Sequence, residues 1–210
     1  MKTKERIIVT SLELFNLYGE PNVTTVDIAH EMDISPGNLY YHYRNKDEII
    51  SELLDRFENE MNAALSEAES YLLGIEEVWE LAYLIFERIW QFRFLYRDLN
   101  NLIGKEQKFA RRIQRLLKRQ ESVVESAVLA LADGGVIRAS ATEMESLKTQ
   151  VVFTLTFWLT YTNLSIKPEQ FGDINLHEAV RQVLMLASPY LSPNNREMLA
   201  EISSHITASK

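Results

Sequence analysis

Apolar residues recur along this chain with the period of an α-helix. In the first such segment they fall on one face, with Gly19 following as a stop signal. This apolar stripe consists of Ile8, Leu12, Phe15 and Tyr18. The sequence shows no sustained alternation with a period of two, which would indicate β-strands. The pattern therefore predicts an all-α protein.

Capping and breaking residues divide the chain into ten predicted helices. Thr24, with Asp27 three residues later, forms a capping box, and Ser35 followed by Pro36 is typical of a helix start. Glycine, proline and aspartate separate the later helices. The predicted helices span about residues 3–18, 25–32, 36–43, 45–70, 76–91, 94–103, 106–132, 142–166, 175–189 and 193–206.

The predicted helices fall into two groups. The first three are short and closely spaced, whereas the later ones are long and rich in apolar residues. The fourth is long enough to connect two domains. We therefore predict a small domain at residues 1–47 and a larger helical domain at residues 48–210.

Two of the short helices have the length and punctuation of a helix-turn-helix, with the turn at Asp33 and Ile34. In such a unit the second helix buries one stripe and presents the other to the major groove of DNA. Leu39 and Tyr43 lie four residues apart and are predicted to face the core. The opposite side is then left for DNA.

The outward side of the second helix carries neutral polar groups. Asn38, Tyr41 and His42 share it, and Gly37 leaves the start of the helix without a side chain. Amide, hydroxyl and imidazole groups bind phosphate oxygens and base edges without a basic patch. The alternative is that the tyrosines of this segment are core aromatics of a small helical domain.

Composition limits how the chain could bind nucleic acid. Its 22 Lys and Arg residues are outnumbered by 30 Asp and Glu residues, so the net charge is −8 and a polyanion would need a local positive surface. Among the five basic residues of the first fifty, Lys46 is predicted to be the best placed for a phosphate, at the start of the fourth helix. Phosphate binding would therefore depend on a few local cations.

Cysteine is absent, which excludes disulfides and thiolate sites and suits a reducing cytoplasm. The N-terminus lacks the apolar core of a secretory signal, and the longest uncharged stretch, residues 149–166, is too rich in threonine for a membrane span. We therefore predict a cytoplasmic protein without a membrane anchor.

The stretch ERIIVTSLELFNLYGEPNVTTVDIAHEMDISPGNLYYHYRNKDEII resembles the N-terminal DNA-binding domain of the TetR family of bacterial transcriptional regulators. The resemblance covers about residues 4–50 and includes the pattern Ser-x-Gly-x-Leu-Tyr-x-His-aromatic followed by Lys-Asp. Over the remaining residues it extends only to the number and length of the helices. It implies a DNA-binding head, an effector-binding domain, and dimerisation through the last two long helices.

The resemblance also implies roles for individual residues. Positions that touch phosphates in the family correspond to Thr25, Ser35, Tyr40, Tyr41, His42 and Lys46. Positions nearest the bases correspond to Pro36, Gly37 and Asn38. Pro36 departs from the pattern, because many members carry a long polar or basic residue there and proline cannot hydrogen-bond to a base. Base reading is therefore expected to depend on Asn38 and Tyr41.

Aromatic residues are abundant in the larger domain, where they either line a small-molecule pocket or fill a helical core. Polar residues near the aromatic face of the 142–166 helix favour a pocket for a mostly apolar ligand held by a few hydrogen bonds. The predicted ligand-binding residues are Tyr83, Phe86, Trp90, Phe153, Phe157, Thr160 and Tyr161.

A two-fold dimer is expected because one helix-turn-helix reads few base pairs, whereas a dimer reads two half-sites about 34–36 Å apart. Apolar stripes on two late helices are candidates for the interface, although they could equally form intrachain core. The predicted interface residues are Leu155, Trp158, Leu159, Thr162, Leu176, Val180, Val183 and Leu184.

Residues 105–119 contain seven basic residues and one acidic residue. The usual interpretation is a solvated helix face, and the alternative is an additional contact with DNA or with an acidic ligand. The sequence is compatible with both.

Together these features predict a homodimeric, ligand-responsive DNA-binding regulator, most simply a repressor of a palindromic operator. Catalysis, metals and cofactors are not expected, because the motif HExxH fails after His30-Glu31 and the four histidines are scattered. The alternative is a helical adaptor that binds only proteins, which would leave the polar side of residues 35–43 unexplained.

Overall fold

The computed structural model describes residues 2–68, 74–105, 107–165 and 174–207, and within them the fold is all-α, without a β-strand. The predicted fold class is confirmed. The α-helices are α1 (Thr3–Tyr18), α2 (Thr25–Glu31), α3 (Pro36–His42), α4 (Lys46–Ala68), α5 (Ile75–Gln91), α6 (Arg93–Arg97), α7 (Leu99–Lys105), α8 (Gln107–Asp133), α9 (Ala141–Ser165), α10 (Leu176–Met185) and α11 (Pro193–Thr207).

The predicted helix starts near the N-terminus are confirmed by their hydrogen bonds. The Asp27 amide donates to Thr24 Oγ1 and the Asp27 carboxylate accepts from the Thr24 amide, which completes the capping box. Ser35 Oγ accepts from the amide of Asn38 at 3.2 Å, with proline at the first helical position. These caps fix where α2 and α3 begin.

Two predicted helices differ from the structure. The segment predicted at 94–103 is two short helices, α6 and α7, separated at Asp98, whose carboxylate accepts a hydrogen bond from the Glu20 amide at 2.8 Å. The segment predicted at 175–189 ends as α10 at Met185 and continues as a 3₁₀ turn over Ser188–Tyr190. The breaks predicted at Pro168 and Gly172 lie outside the described residues.

The chain forms two compact units: Met1–Glu60 with Gln91–Ile113, and Met61–Trp90 with Gln114–Lys210. The first unit extends beyond the domain predicted at residues 1–47, because α6 and α7 belong to it. The Asn16 side chain explains part of this arrangement, since it accepts from the Phe94 amide at 3.1 Å and donates to the Gln91 carbonyl at 2.8 Å. The functional boundary at residue 47 stays a prediction.

Each unit has its own apolar core. In the first unit the rings of Phe15 and Phe94 pack with centroids 5.3 Å apart, and Phe57 packs on Phe92 at 5.5 Å. All four side chains are fully buried. Paired rings of this kind add stability beyond that of buried area alone. They hold α1 and α4 against the α6 segment.

The second unit is built from α5 and the C-terminal helices α8 to α11, together with the end of α4. Phe86 of α5 meets Trp158 of α9 edge to face, with ring centroids 5.2 Å apart. In the loop that follows α8, Ile137 forms an isolated β-bridge with Leu191. The Asn195 side chain donates to the Val136 carbonyl in the same loop at 3.0 Å. These contacts connect the helices around an apolar interior.

Candidate nucleic-acid interface and an apolar cavity

The turn between α2 and α3 is tightly defined. The amide of Ile34 donates to the carbonyl of Ala29 at 3.0 Å, and Asp33 takes the left-handed conformation with φ 54°. Aspartate tolerates this conformation better than most residues. Ile28 and Ala29 are fully buried, so the two helices approach closely, and the predicted helix-turn-helix is confirmed.

The inner stripe of α3 is held by two residues. Leu39 is fully buried, and Tyr43, which follows the helix, is buried except for a few per cent of its surface. The Tyr43 hydroxyl donates to Glu52 of α4 at 2.7 Å, and burial together with this hydrogen bond raises the pKa of Tyr43. The predicted inward orientation of both side chains is confirmed.

The outer side of α3 is open to solvent. Tyr41 is 85% exposed, Asn38 is exposed, and His42 is half-buried with its ring edge-on to Tyr41 at 5.1 Å. A Cβ atom added at Gly37 would meet only the Ser35 hydroxyl, at 3.9 Å. Because Gly37 has no side chain, a base edge or phosphate can approach the helix backbone at this position.

The predicted phosphate-contacting hydroxyls of Thr25 and Tyr40 lie 2.9 Å apart and form one hydrogen-bonded pair. Tyr40 is 47% exposed, so the pair is accessible to solvent. This hydrogen bond connects the first turn of α2 to α3. The structure thus brings together eight of the nine predicted DNA-contacting residues, all except Lys46, on the head of one unit, while their contact with DNA stays a prediction.

Lys46 is held by acceptors of its own chain. Its ammonium donates to the backbone carbonyls of Glu20 and Val23, both at 2.9 Å, and pairs with the Glu20 carboxylate at 2.8 Å. An ammonium has three N–H donors, so these intramolecular acceptors engage all of them. These contacts indicate that Lys46 stabilises the fold, and its role as a phosphate contact stays a prediction.

Arg44 is the cation that sequence reasoning undervalued. It lies two residues after α3 and is exposed, and none of the described side-chain contacts engages its guanidinium group. Two other basic residues of this unit are occupied: Lys4 pairs with Glu52 at 3.0 Å and Arg6 donates to the Met32 carbonyl at 3.3 Å. In the sequence, the indication for Arg44 is its position two and three residues after His42 and Tyr41.

The second unit contains a cavity of about 70 Å³, partly open to solvent, between α5, α8, α9 and α10. Its lining is aliphatic: Val78, Leu81, Ala82, Ile85, Val124, Ala127, Val128, Leu131, Leu147, Val151, Leu155, Val183, Leu184 and Ala187. None of the predicted ligand-binding aromatics lines it.

The predicted ligand-binding residues are dispersed. Phe86 is buried against Trp158, Tyr83 stacks on His177 with ring centroids 4.8 Å apart, and Trp90 and Thr160 are half-buried on other parts of α5 and α9. These four residues therefore do not meet in one pocket, whereas Phe153, Phe157 and Tyr161 line a common groove, and ligand binding by this set stays a prediction.

The predicted ligand-binding aromatics of α9 face solvent. Phe153 and Tyr161, predicted to bind ligand, are 64% and 70% exposed, and Phe157 is 43% exposed. They line an open groove of about 800 Å³ along α9 and the start of α10. This groove contains the solvent-facing aromatic surface of the unit.

Most of the predicted dimer residues are intrachain core. Leu155, Leu159, Val180, Val183 and Leu184 are buried within the single chain, and three of them line the cavity. Burial within the chain favours the alternative of intrachain core for these five residues, and the dimer interface stays a prediction. Trp158 and Thr162 are half-buried and line the groove, and Leu176 is half-buried on α10.

The basic run on α7 and α8 is partly neutralised. Lys105 binds Glu20, and the buried Arg112 pairs with Asp55 and Glu58, both at 2.6 Å. Burial lowers the pKa of Arg112, but the hydrogen bonds to the two carboxylates outweigh it and raise the pKa. Lys108, Arg111, Arg115 and Lys118 are exposed, which matches the solvated-face interpretation.

Neither a metal site nor a membrane span is found in the described parts of the chain. Among those residues no three His, Asp or Glu side chains are grouped so that they could hold a metal ion. The described helices also include none long and apolar enough to cross a bilayer.

A helix-turn-helix with an exposed polar face, followed by a second helical unit that contains a cavity, is the architecture of a DNA-binding transcriptional regulator. Residues 7–53 match the family model described as bacterial regulatory proteins, tetR family. Residues 56–199 match the model described as bacterial transcriptional repressor. The chain therefore belongs to the TetR family of bacterial transcriptional regulators.

Individual relatives support the assignment to the TetR family. A TetR-family transcriptional regulator from Marinobacter aquaeolei VT8 is 31% identical, with 98% of this chain and 99% of that one covered and a TM-score of 0.84. The uncharacterized HTH-type transcriptional regulator TtgW of Pseudomonas putida is 30% identical over 79 residues, 38% of this chain. That match spans 56% of the length of TtgW.

A more distant structure shares the fold. SmeT, the repressor of the Stenotrophomonas maltophilia multidrug efflux pump SmeDEF, is 17% identical, with 93% of each chain covered and a TM-score of 0.59. At this identity the similarity concerns architecture alone.

Proposed function

We propose that this protein is a homodimeric repressor that binds a palindromic operator in the cytoplasm and is released by a small, mostly apolar effector. TetR-family regulators bind operators as dimers and respond to small-molecule effectors, and the family model for residues 56–199 describes repressors. The observation that carries the proposal is the exposed polar side of α3, anchored from behind by Leu39 and Tyr43.

Base reading would come from the outer side of α3. The side-chain amide of Asn38 can donate to and accept from one base edge, and Tyr41 is 85% exposed, so its hydroxyl is free to reach a base or a phosphate. Gly37 lets the backbone approach the groove, while Pro36 has no hydrogen-bond donor to offer a base. Specificity would therefore depend on few side chains per half-site, which is the physical reason for a dimer.

Phosphate contacts would surround these base contacts. The hydroxyls of Thr25, Ser35 and Tyr40 and the imidazole of His42 are the neutral candidates, and Arg44 is the cationic one. Neutral donors hold the register of the protein on the duplex without a strongly positive surface. Phosphate binding by neutral donors and a single cation is compatible with the net charge of −8, since it does not require a broad basic patch.

A second copy of the chain would cover the aromatic groove of α9. Phe153, Phe157 and Tyr161 expose large ring surfaces side by side, and Met185 of α10 is also exposed. Exposed apolar clusters of this kind are typical of interaction sites in soluble proteins. We propose that α9 and α10 of two copies pack together in a four-helix interface.

Effector binding would act by a population shift. An effector that binds better to a form with the two reading heads at an unsuitable separation lowers the affinity for DNA, and DNA lowers the affinity for the effector by the same factor. The apolar cavity of the second unit is the candidate effector site.

The proposal is tested by selecting genomic fragments with the purified full-length protein. We expect a palindromic motif with half-sites about one helical turn or a multiple apart, bound with an affinity that falls as salt rises. A double variant, Asn38→Ala with Tyr41→Ala, serves as the control and should lose selectivity while remaining folded. Binding without sequence preference or salt dependence would contradict the proposal and favour a protein adaptor.

A further inference from the structure

The apolar cavity of the second unit limits the chemistry of the effector, and this inference rests on the proposed function. Four helices line the cavity, with Leu81 and Ile85 from α5, Val124 and Val128 from α8, Leu155 from α9 and Val183 from α10. All of its described lining side chains are valine, leucine, isoleucine or alanine. None of these side chains donates or accepts a hydrogen bond.

The buried hydroxyl of Thr156 does not make the cavity polar. Thr156 follows the lining residue Leu155 and is buried, but its Oγ1 donates to the carbonyl of Val152 at 2.8 Å. The surrounding backbone is helical, so its amide and carbonyl groups are used within the helices. A ligand hydroxyl or amide placed here would lose its hydrogen bonds to water without gaining new ones, which disfavours its binding. A carboxylate would be disfavoured more strongly.

The cavity is small because it is bounded by large aliphatic side chains, and it exists because three lining residues are alanines: Ala82, Ala127 and Ala187. Its volume of about 70 Å³ compares with about 150 Å³ for an apolar protein cavity that binds benzene. A ring therefore requires the lining to move. Val78 of α5 and Val151 of α9 line the cavity and are half-buried, so the part of the lining that they form is less tightly packed than the buried part.

We propose that the effector is a neutral, hydrocarbon-like molecule of about one aromatic or alicyclic ring, without a charged or strongly hydrogen-bonding group, and that it binds an expanded form of this cavity. Because the ring is larger than the void, it binds best to conformers in which α5, α8, α9 and α10 lie further apart. That preference is the differential affinity a ligand needs in order to shift a conformational equilibrium.

The test compares toluene with benzoate, which has a similar ring but carries a charge, at equal free concentrations. Thermal unfolding of the full-length protein and its binding to genomically selected DNA are measured in parallel. We expect toluene to raise Tm by about 3 °C and to weaken DNA binding about tenfold. Benzoate should change neither quantity.

Two matched variants locate the site. Ala127→Leu fills the cavity from α8 and should abolish both toluene effects while DNA binding is kept. Ala130→Leu adds the same atoms to the same helix at a position that does not line the cavity, and should respond like the unmodified protein. If Ala127→Leu loses its helical circular dichroism, Ala82→Val fills the cavity from α5 with fewer atoms and takes its place.

The outcomes separate this inference from the proposed function. An equal response to benzoate, or a toluene response that survives in a folded filling variant, would overturn the inference. So would the absence of any toluene effect on a protein that still binds its operator, and the regulator proposal would then stand. Failure to bind DNA selectively would instead overturn the proposed function.

Discussion

The ammonium of Lys46 lies 2.8 Å from the carboxylate of Glu20, which is completely buried. Lys105 of α7 binds the same carboxylate at 2.8 Å, and the Asn101 side chain donates to it at 3.1 Å. One carboxylate thus connects the start of α4 and the helix α7 to the turn that follows α1. Burial raises the pKa of Glu20, but the hydrogen bonds from Lys105 and Lys46 outweigh it and the pKa is lowered.

Lys46→Met should therefore act mainly on stability. The change removes the ion pair and leaves the carbonyls of Glu20 and Val23 without their donor, while Lys105 still pairs with the carboxylate. We expect the free energy of unfolding to fall by about 2–3 kcal/mol, measured by urea denaturation. Lys2→Met, at an exposed position, is the matched control. A variant of unchanged stability with weakened DNA binding would restore Lys46 as a phosphate contact.

Glu20→Gln should change the pH dependence of stability. A carboxylate whose pKa is lowered on folding contributes stability that is present above its ordinary pKa of 4.5 and is lost as the pH falls through the lower folded value. The amide of glutamine does not titrate. We therefore expect the unmodified protein to be more stable than the variant at pH 7, with a difference that shrinks below pH 4.5. The denaturant midpoints of both proteins, measured between pH 7 and pH values below 4.5, give this stability difference. A difference that does not change with pH would contradict a lowered pKa of Glu20 in the folded protein.

The sequence predicts the head of the molecule well because its signals are local. Thr24 with Asp27 and Ser35 with Pro36 fix two helix starts within a few residues, and the spacing of Leu39 and Tyr43 fixes the inward side of α3. The role of Lys46 is not local. Its partner Glu20 lies 26 residues earlier in the chain, and the second cation, Lys105, lies 85 residues from Glu20.

The orientation of α9 could not be predicted for a different reason. Apolar residues occur on several sides of this helix, so the period does not distinguish the side that packs within the chain from the side that faces solvent. Leu155 and Phe157 are two positions apart and have opposite environments. The break at Asp98 is likewise tertiary, because neither proline nor glycine marks it and its carboxylate is held by the distant Glu20 amide.

Tyr41→Ala should weaken operator binding without destabilising the fold. The side chain is 85% exposed, so its removal costs little packing, whereas a lost base or phosphate contact weakens binding by about 1–3 kcal/mol. Fluorescence anisotropy with selected operator DNA measures the affinity. Tyr18→Ala removes another exposed tyrosine, at the end of α1, and should leave the affinity unchanged. Equal affinity of both variants would remove Tyr41 from the interface.

Arg44→Ala should lower the salt dependence of DNA binding. Each phosphate contact by a cation releases about one counterion, so losing one contact reduces the slope of log K against log salt by about one. Binding is measured at several salt concentrations with the same operator. Arg138→Ala, which removes another exposed arginine in the second unit, is the control. An unchanged slope for Arg44→Ala would show that its guanidinium does not contact DNA.

Phe157→Arg should dissociate the dimer. The ring is 43% exposed in the aromatic groove of α9, so the free chain tolerates the longer side chain, whereas in the interface the substitution removes the ring contacts and buries a guanidinium group at a cost in desolvation. Sedimentation should show a folded monomer, and operator affinity should fall because a single head reads only one half-site.

Leu129→Arg is the matched control for this substitution. Leu129 is 46% exposed on α8 in the same unit and does not line the groove, so this variant should remain a dimer. Leu159→Arg tests the original assignment: because Leu159 is buried within the chain, the substitution should unfold the protein instead of yielding a folded monomer. A dimer that survives Phe157→Arg while Leu159→Arg gives a folded monomer would return the interface to the opposite side of α9.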